Sequence, residues 1–185
     1  MSARPLLLGL AFVSCAGSGN SLFVHPEFDF RSIEAVAVVP FENLSNDQGA
    51  ANRVTRILIS ELLSRQAFDV IEPGEVAKVL EKYSTVRTAE LQKDQIREIG
   101  KALGVQAIFL GVVSESATNR HGNSASNEVA LVARLVETEK GTTIWSATRS
   151  EGGRNILHVL FGLEPPSKSL VTVACVKNLI GTLIK

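Results

Sequence analysis

The chain of 185 residues is poor in the side chains that do chemistry. Its two cysteines, Cys15 and Cys175, are too few for a disulfide framework. The three histidines, His25, His121 and His158, stand far apart in sequence, and none has a second His or Cys at metal-ligand spacing. No metal site is expected. Lysine plus arginine and aspartate plus glutamate both number 19, so there is no basic surplus to favour nucleic acid or anionic lipid. No apolar run approaches the ~20 residues that a membrane-spanning helix needs. The phosphate-cradling patterns G-x-G-x-x-G and G-x-x-x-x-G-K-[ST] do not occur, nor does the G-x-S-x-G nucleophile elbow. The loop that would hold a phosphate, Glu42 to Gly49, has one glycine and two acids that would repel it. These absences argue against an enzyme, and no catalytic or cofactor-binding residue is expected.

What is present begins with the first fifteen residues, MSARPLLLGLAFVSC. Arg4 supplies a positive start, Leu6 to Val13 an apolar stretch, and Ser14 a small residue before Cys15. That order is a secretory leader by shape. Phe12-Val13-Ser14-Cys15 resembles the bacterial lipobox, although Phe12 stands where Leu is usual. The resemblance implies cleavage before Cys15, thioether lipidation of its sulfur and acylation of the new amino terminus. Residues 1–14 are then the signal peptide. Residues 15–34 are the lipidated Cys and a tether, opened by the small, polar Ala16-Gly17-Ser18-Gly19-Asn20-Ser21. Position 16 is Ala and not Asp, which by resemblance to enterobacterial sorting favours the outer membrane. Several acyl chains on Cys15 would make a firm anchor, where one holds marginally.

Residues 35–185 read as one α/β domain. Ala35 to Phe41 is a β-branched apolar run closed by Pro40, the pattern of a strand buried on both faces. Ala50 to Gln66 carries Val54, Ile57, Leu58 and Leu62 at helical spacing, with Asn46 or Asp47 placed to cap it. Phe68 to Glu72 reads as a short strand. Pro73 then suits the first turn of a helix with Val76, Val79, Leu80 and Tyr83 on one stripe. Thr88 is placed to cap a third helix, which Gly104 stops. Val105 to Val113 is a third apolar strand, and Ser114 to Asn127 reads as a polar loop. Glu128 to Val136 alternates as a half-buried strand, with Thr142 to Arg149 as its hairpin partner. Arg154 to Pro166 is irregular. A last helix capped by Ser167 runs to the carboxyl terminus. The order βαβααβββα predicts a single mixed β-sheet packed with helices. Cys175, in the apolar run from Val171 to Val176, reads as a small buried hydrophobe.

Three segments look familiar together. Val36-Ala37-Val38-Val39-Pro40-Phe41-Glu42-Asn43, Leu103-Gly104-Val105-Gln106-Ala107-Ile108-Phe109-Leu110-Gly111 and Arg134 to Trp145 resemble, in order and spacing, a family of periplasmic domains. That family includes the CsgG-type curli-secretion lipoproteins, the lipoprotein activators of peptidoglycan synthases, and the amino-terminal domain of the Tol-Pal translocation protein. The resemblance implies an α/β fold used for protein contacts without catalysis. The curli channel contributes two amphipathic hairpins per subunit to a membrane barrel. Here Ser114 to Asn127 holds only Ala117 and Ala125 as apolar residues, and the turn at 137–141 is too short for a hairpin, so a barrel is not expected.

The expectation is therefore an envelope lipoprotein, lipid-anchored through Cys15 on the periplasmic face of the outer membrane. Its domain would bind a protein partner in secretion, assembly or cell-wall synthesis. An alternative is a self-associating ring subunit that docks on an outer-membrane secretion pore; Ile59 and Leu63 widen the apolar face of the helix from Ala50 to Gln66 in its favour. A small-molecule-binding periplasmic domain is the third reading.

Overall fold

A computed structural model of the chain describes residues 20–83, 87–121, 124–152 and 165–184. Cys15, His158 and most of the segment from 154 to 166 lie outside them. The elements run β1 (Ser21–Val24), β2 (Ala35–Val38), β3 (Glu42–Asn43), α1 (Ala50–Arg65), β4 (Asp69–Val70), α2 (Pro73–Leu80), α3 (Lys93–Leu103), β5 (Ala107–His121), β6 (Ser124–Glu137), β7 (Thr143–Gly152) and α4 (Lys168–Ile180). The expected order βαβααβββα is all there, from β2 to α4, with β1 and β3 added. Seven strands form one mixed sheet in the order β1-β7-β6-β5-β2-β4, and β3 pairs with β5. The early, helix-separated strands β2, β4 and β5 pair in parallel, and the later hairpins pair antiparallel.

Burial follows from strand alternation, which sends successive side chains to opposite faces. On one face Val36, Val38, Phe109, Leu131, Leu135, Trp145 and their neighbours meet α1 and α4. On the other, Ala37, Val39, Ile108, Leu110 and Val136 meet α2 and α3. Helix α1 spends Ala50, Val54, Leu58 and Leu62 on the first face, each at most 1% exposed. Full burial of such a leucine contributes about 2 kcal/mol. Trp145 is buried edge-on to Phe109, with ring centroids 6.2 Å apart, and its Nε1 donates to Thr182 Oγ1 at 3.1 Å. Cys175 is buried in the same core, as its apolar run suggested.

Helix ends show where local chemistry won. Pro73 opens α2, Gly104 takes φ +67° to close α3, and the Ser167 hydroxyl accepts from the Leu170 amide to open α4. Three expectations are corrected. Gln92, and not Thr88, caps α3, because Gln92 and Gln95 satisfy each other's backbone amides in a reciprocal box while Thr88 donates its hydroxyl to Pro40. Helix α4 stops at Ile180, yet Leu183 and Ile184 beyond it still pack on the core. Ser21 to Val24, assigned to the tether, is a strand registered against β7 from Thr148 to Trp145.

The largest correction concerns Ser114 to Asn127. It is not a loop but the distal half of the β5–β6 hairpin, whose register continues to His121 opposite Ser124. Both of its faces are polar, so alternation gave no signal. The loop reading of this segment falls; its polarity and the short turn between β6 and β7, the two grounds against a barrel, are unchanged.

Candidate protein-docking site

The densest polar cluster sits where the β5–β6 hairpin leaves the helices. Asp47, in the loop between β3 and α1, is its hub. One carboxylate oxygen, Oδ2, accepts from Arg53 Nη2 at 2.6 Å, from Ser116 Oγ at 2.9 Å and from Lys168 Nζ at 3.2 Å. The other, Oδ1, accepts from the Gly49 amide at 3.2 Å, and the Asp47 carbonyl accepts from Ala50 N at 2.9 Å. The start of α1 is thus held by Asp47 two residues early, with Gly49 and not a side chain at the cap itself. Behind it, the Asn43 side chain closes the loop by donating to the Asp47 carbonyl at 2.7 Å and accepting from Ser45.

The electrostatics are one-sided. Burial works against the ionised Asp47. Hydrogen bonds from Arg53, Ser116 and Lys168 outweigh it, helped by the Arg53 charge, and hold the carboxyl far below its ordinary 3.8. Four separate elements meet on this side chain: its own loop, α1 through Arg53, β5 through Ser116 and α4 through Lys168. The hub ties Ser116, at the base of the distal hairpin, to the loop before α1 and to the starts of α1 and α4. Beside it lies an open cleft of about 810 Å³ lined by Ser45, Asn46, Gln48, Glu115, Thr118 and Lys168.

Past Ser116 the hairpin carries Ala117, Thr118, Asn119 and Arg120 on one strand and Ala125, Ser126, Asn127 and Glu128 on the other. Its side chains bond across the pair, Thr118 to Asn127 at 2.7 Å and Asn119 to Glu128 at 3.3 Å, and Asn127 reaches the Pro166 carbonyl at 2.9 Å. Such a hairpin offers hydrogen-bonding side chains suited to contact with a protein.

Two of the three histidines fall among the described residues. His25 stands beside β1, accepting from the Glu27 amide at 3.3 Å, and His121 lies at the hairpin tip. Among the described residues no three His, Cys, Asp or Glu side chains converge on a metal position. Burial pushes the Cys175 thiol up to about 12, with the nearby Glu151 charge acting in the same sense, so it stays protonated and inert. Sequence reasoning missed the hub altogether. Asp47 stood out only as a cap and as an acid unfriendly to phosphate, and nothing in the sequence links it to Ser116 or Lys168, far along the chain.

Residues 20–150 match the family model described as the peptidoglycan-synthase activator LpoB. The chain belongs to the LpoB family. Membership makes it a cell-envelope protein of a family defined by activating an enzyme, not by being one. This LpoB-family chain is 27% identical over 168 residues to a Neisseria meningitidis serogroup B chain described as a lipoprotein, covering 86% of itself and 76% of that relative. Its fold is shared with the PelC dodecamer from Paraburkholderia phytofirmans, at a TM-score of 0.61 and 16% identity over 90% of this chain and 98% of the other. It is also shared with the lipoprotein GNA1162 from Neisseria meningitidis, at 0.55 and 20% over 70% and 93%. Among the described residues of the LpoB-family domain no helix is long and apolar enough to cross a membrane.

Among the described residues, several apolar side chains remain on the surface of this LpoB-family domain, Leu44 and Leu170 included. A groove of about 400 Å³ runs between α1 and α4, lined by Ile57, Val173 and Lys177 among others. Of the residues expected to widen the apolar face of α1, Ile59 packs on the core and Leu63 is 53% exposed. On β1, Leu22, Phe23 and Val24 are all exposed.

Proposed function

We propose that the protein is a lipoprotein, anchored through Cys15 to the periplasmic face of the outer membrane, that activates a peptidoglycan synthase by docking on it. The observation that carries this reading is the family match over residues 20–150, which takes in the whole sheet except the last two residues of β7. Lipidation rests on the resemblance of residues 12–15 to the lipobox and on the lipoprotein relative. The docking element is the β5–β6 hairpin, set on the domain by Asp47. Its described residues past Ser116 include the polar Thr118, Asn119, Arg120, Ser126 and Asn127.

The test has two arms. Wild type and Cys15→Ser are grown with labelled fatty acid and fractionated; label and membrane association are both expected to be lost in the variant. Mature protein is then used to capture synthases from solubilised envelope. Recovery of a peptidoglycan synthase supports docking. Recovery of none, from an anchored and folded bait, rules the reading out.

A second reading, self-association, is favoured by one observation: PelC, which shares the fold over almost its whole length, assembles as a dodecamer. The molar mass of the mature protein by light scattering separates monomer from assembly.

A further inference from the structure

We propose that the outer edge of β1 is a contact between two copies of this chain, which pair their β1 strands antiparallel about Phe23. The proposal deepens the self-association reading above and is independent of the synthase reading.

Strand β1 is the terminal strand of the open sheet, and among the described residues nothing pairs with its outer side. The register against β7 sets Ser21 opposite Thr148 and Phe23 opposite Ser146, and continues to His25, whose amide donates to the Ile144 carbonyl at 2.8 Å. Backbone groups alternate in direction along a strand. Ser21, Phe23 and His25 therefore turn their amides and carbonyls toward β7, and Leu22 and Val24 turn theirs outward. The free edge thus presents the donors and acceptors of two residues, separated by one.

That spacing is complementary to itself. Antiparallel pairing about Phe23 sets Leu22 opposite Val24 of the second copy, and Val24 opposite its Leu22. Both become hydrogen-bonded pairs and satisfy every outward group of the strand. Phe23 then faces Phe23 of the second copy in a non-hydrogen-bonded pair, where the backbones approach to about 4.5 Å and side chains meet most closely.

The side chains agree with the backbone. Leu22, Phe23 and Val24 are 52%, 46% and 45% exposed, three consecutive large apolar residues on a sheet edge. Native edges are ordinarily protected by lysine, proline, a bulge or an overlying element, and Ser21 to Val24 has none of these residues or irregularities. Phe23 lies on the sheet face opposite Trp145, next to Ser146 and in line with Arg134 on β6, while the exposed Val132 is in line with Ser21. Pairing would bring the two exposed Phe23 side chains together at the two-fold axis. An isologous contact of this kind closes at two copies.

The test is disulfide trapping in the full chain, isolated from membranes, with single cysteines placed at Leu22, Phe23 and Val24. The parent chain gives the background from Cys15 and Cys175. A covalent dimer that peaks at Phe23→Cys is expected, because only position 23 faces itself across the axis at disulfide distance. The companion variant, Val24→Pro in the Phe23→Cys chain, removes an outward amide and leaves the bonds to β7 intact. It is expected to lose the covalent dimer while keeping the parent's thermal midpoint. A dimer by light scattering with no trapping at 23 would overturn the β1 contact and leave self-association by another surface. A monomer throughout would overturn both. Trapping at 23 to a different protein would overturn pairing with a second copy in favour of a foreign strand.

Discussion

At the scale of single residues, Asp47 is the side chain on which most of the site turns. It accepts from Arg53, Ser116 and Lys168, which approach from three elements. Its replacement by Ala leaves two cations and a hydroxyl without their acceptor, and Arg53 Nε is already buried with no partner. Asp47→Ala is expected to cost about 2 kcal/mol in urea unfolding, the scale of losing hydrogen bonds to a charged group. The carboxyl titrates below 3.8 in the folded state. Its contribution is therefore fully present above that pH and declines as the pH falls from there through the lower, folded value. The stability gap between wild type and Asp47→Ala should stay level from pH 8 to about 5 and narrow only below about 4. A gap that closes near neutrality would remove the ion-pair account. Cys175 tests burial at the same scale. In the Cys15→Ser chain its thiol should resist a thiol reagent in native buffer and react fully in denaturant, because burial holds it protonated. Prompt native labelling would contradict its place in the core.

Elements show how much of the structure was legible in the sequence. Ala35 to Val39 and Ala107 to Val113 are apolar throughout, and α1 to α3 repeat apolar residues at helical spacing; in each case burial dictates the pattern, so the pattern reveals the element. Strand β1 and the distal β5–β6 hairpin bury almost nothing, and hydrophobic periodicity has no purchase on them. Thr118, Asn119, Ser126 and Asn127 read as loop by composition, yet they hold register through backbone pairing and cross-strand hydrogen bonds. The hub was invisible for a different reason: it joins residues brought together only by the fold, Asp47 to Lys168. Close packing elsewhere does have a residue signature. Gly111 lies under the Phe41 ring, where an added Cβ would collide with Cε1. Gly111→Ala should cost about 2 kcal/mol by overpacking, and Phe41→Leu should recover part of that loss in the double variant. An additive double variant would show that the ring is not what excludes the methyl group.

The hairpin itself supports a prediction at the element scale. Replacing residues 118–127 by an Asn-Gly turn removes polar side chains that contribute little to either apolar cluster. The thermal midpoint should move by only a few degrees, as for a change well under 1 kcal/mol in a domain of this size. Capture of the synthase should be lost. A shortened chain that still captures it would move docking to another surface, such as the groove between α1 and α4.

For the whole molecule, the picture is a mixed sheet covered by helices on both sides, with a polar hairpin extending β5 and β6 and an exposed apolar strand at one edge. Family membership supplies the enzyme that such a surface would serve. The central claim is that the protein changes the rate of that enzyme. The direct measurement is the glycan polymerisation rate of a purified peptidoglycan synthase from the same bacterium, with and without the mature protein at saturating concentration. The account expects a faster rate with the wild-type protein and no change with the hairpin-shortened chain. A wild-type protein that binds the synthase and leaves its rate unaltered would contradict it.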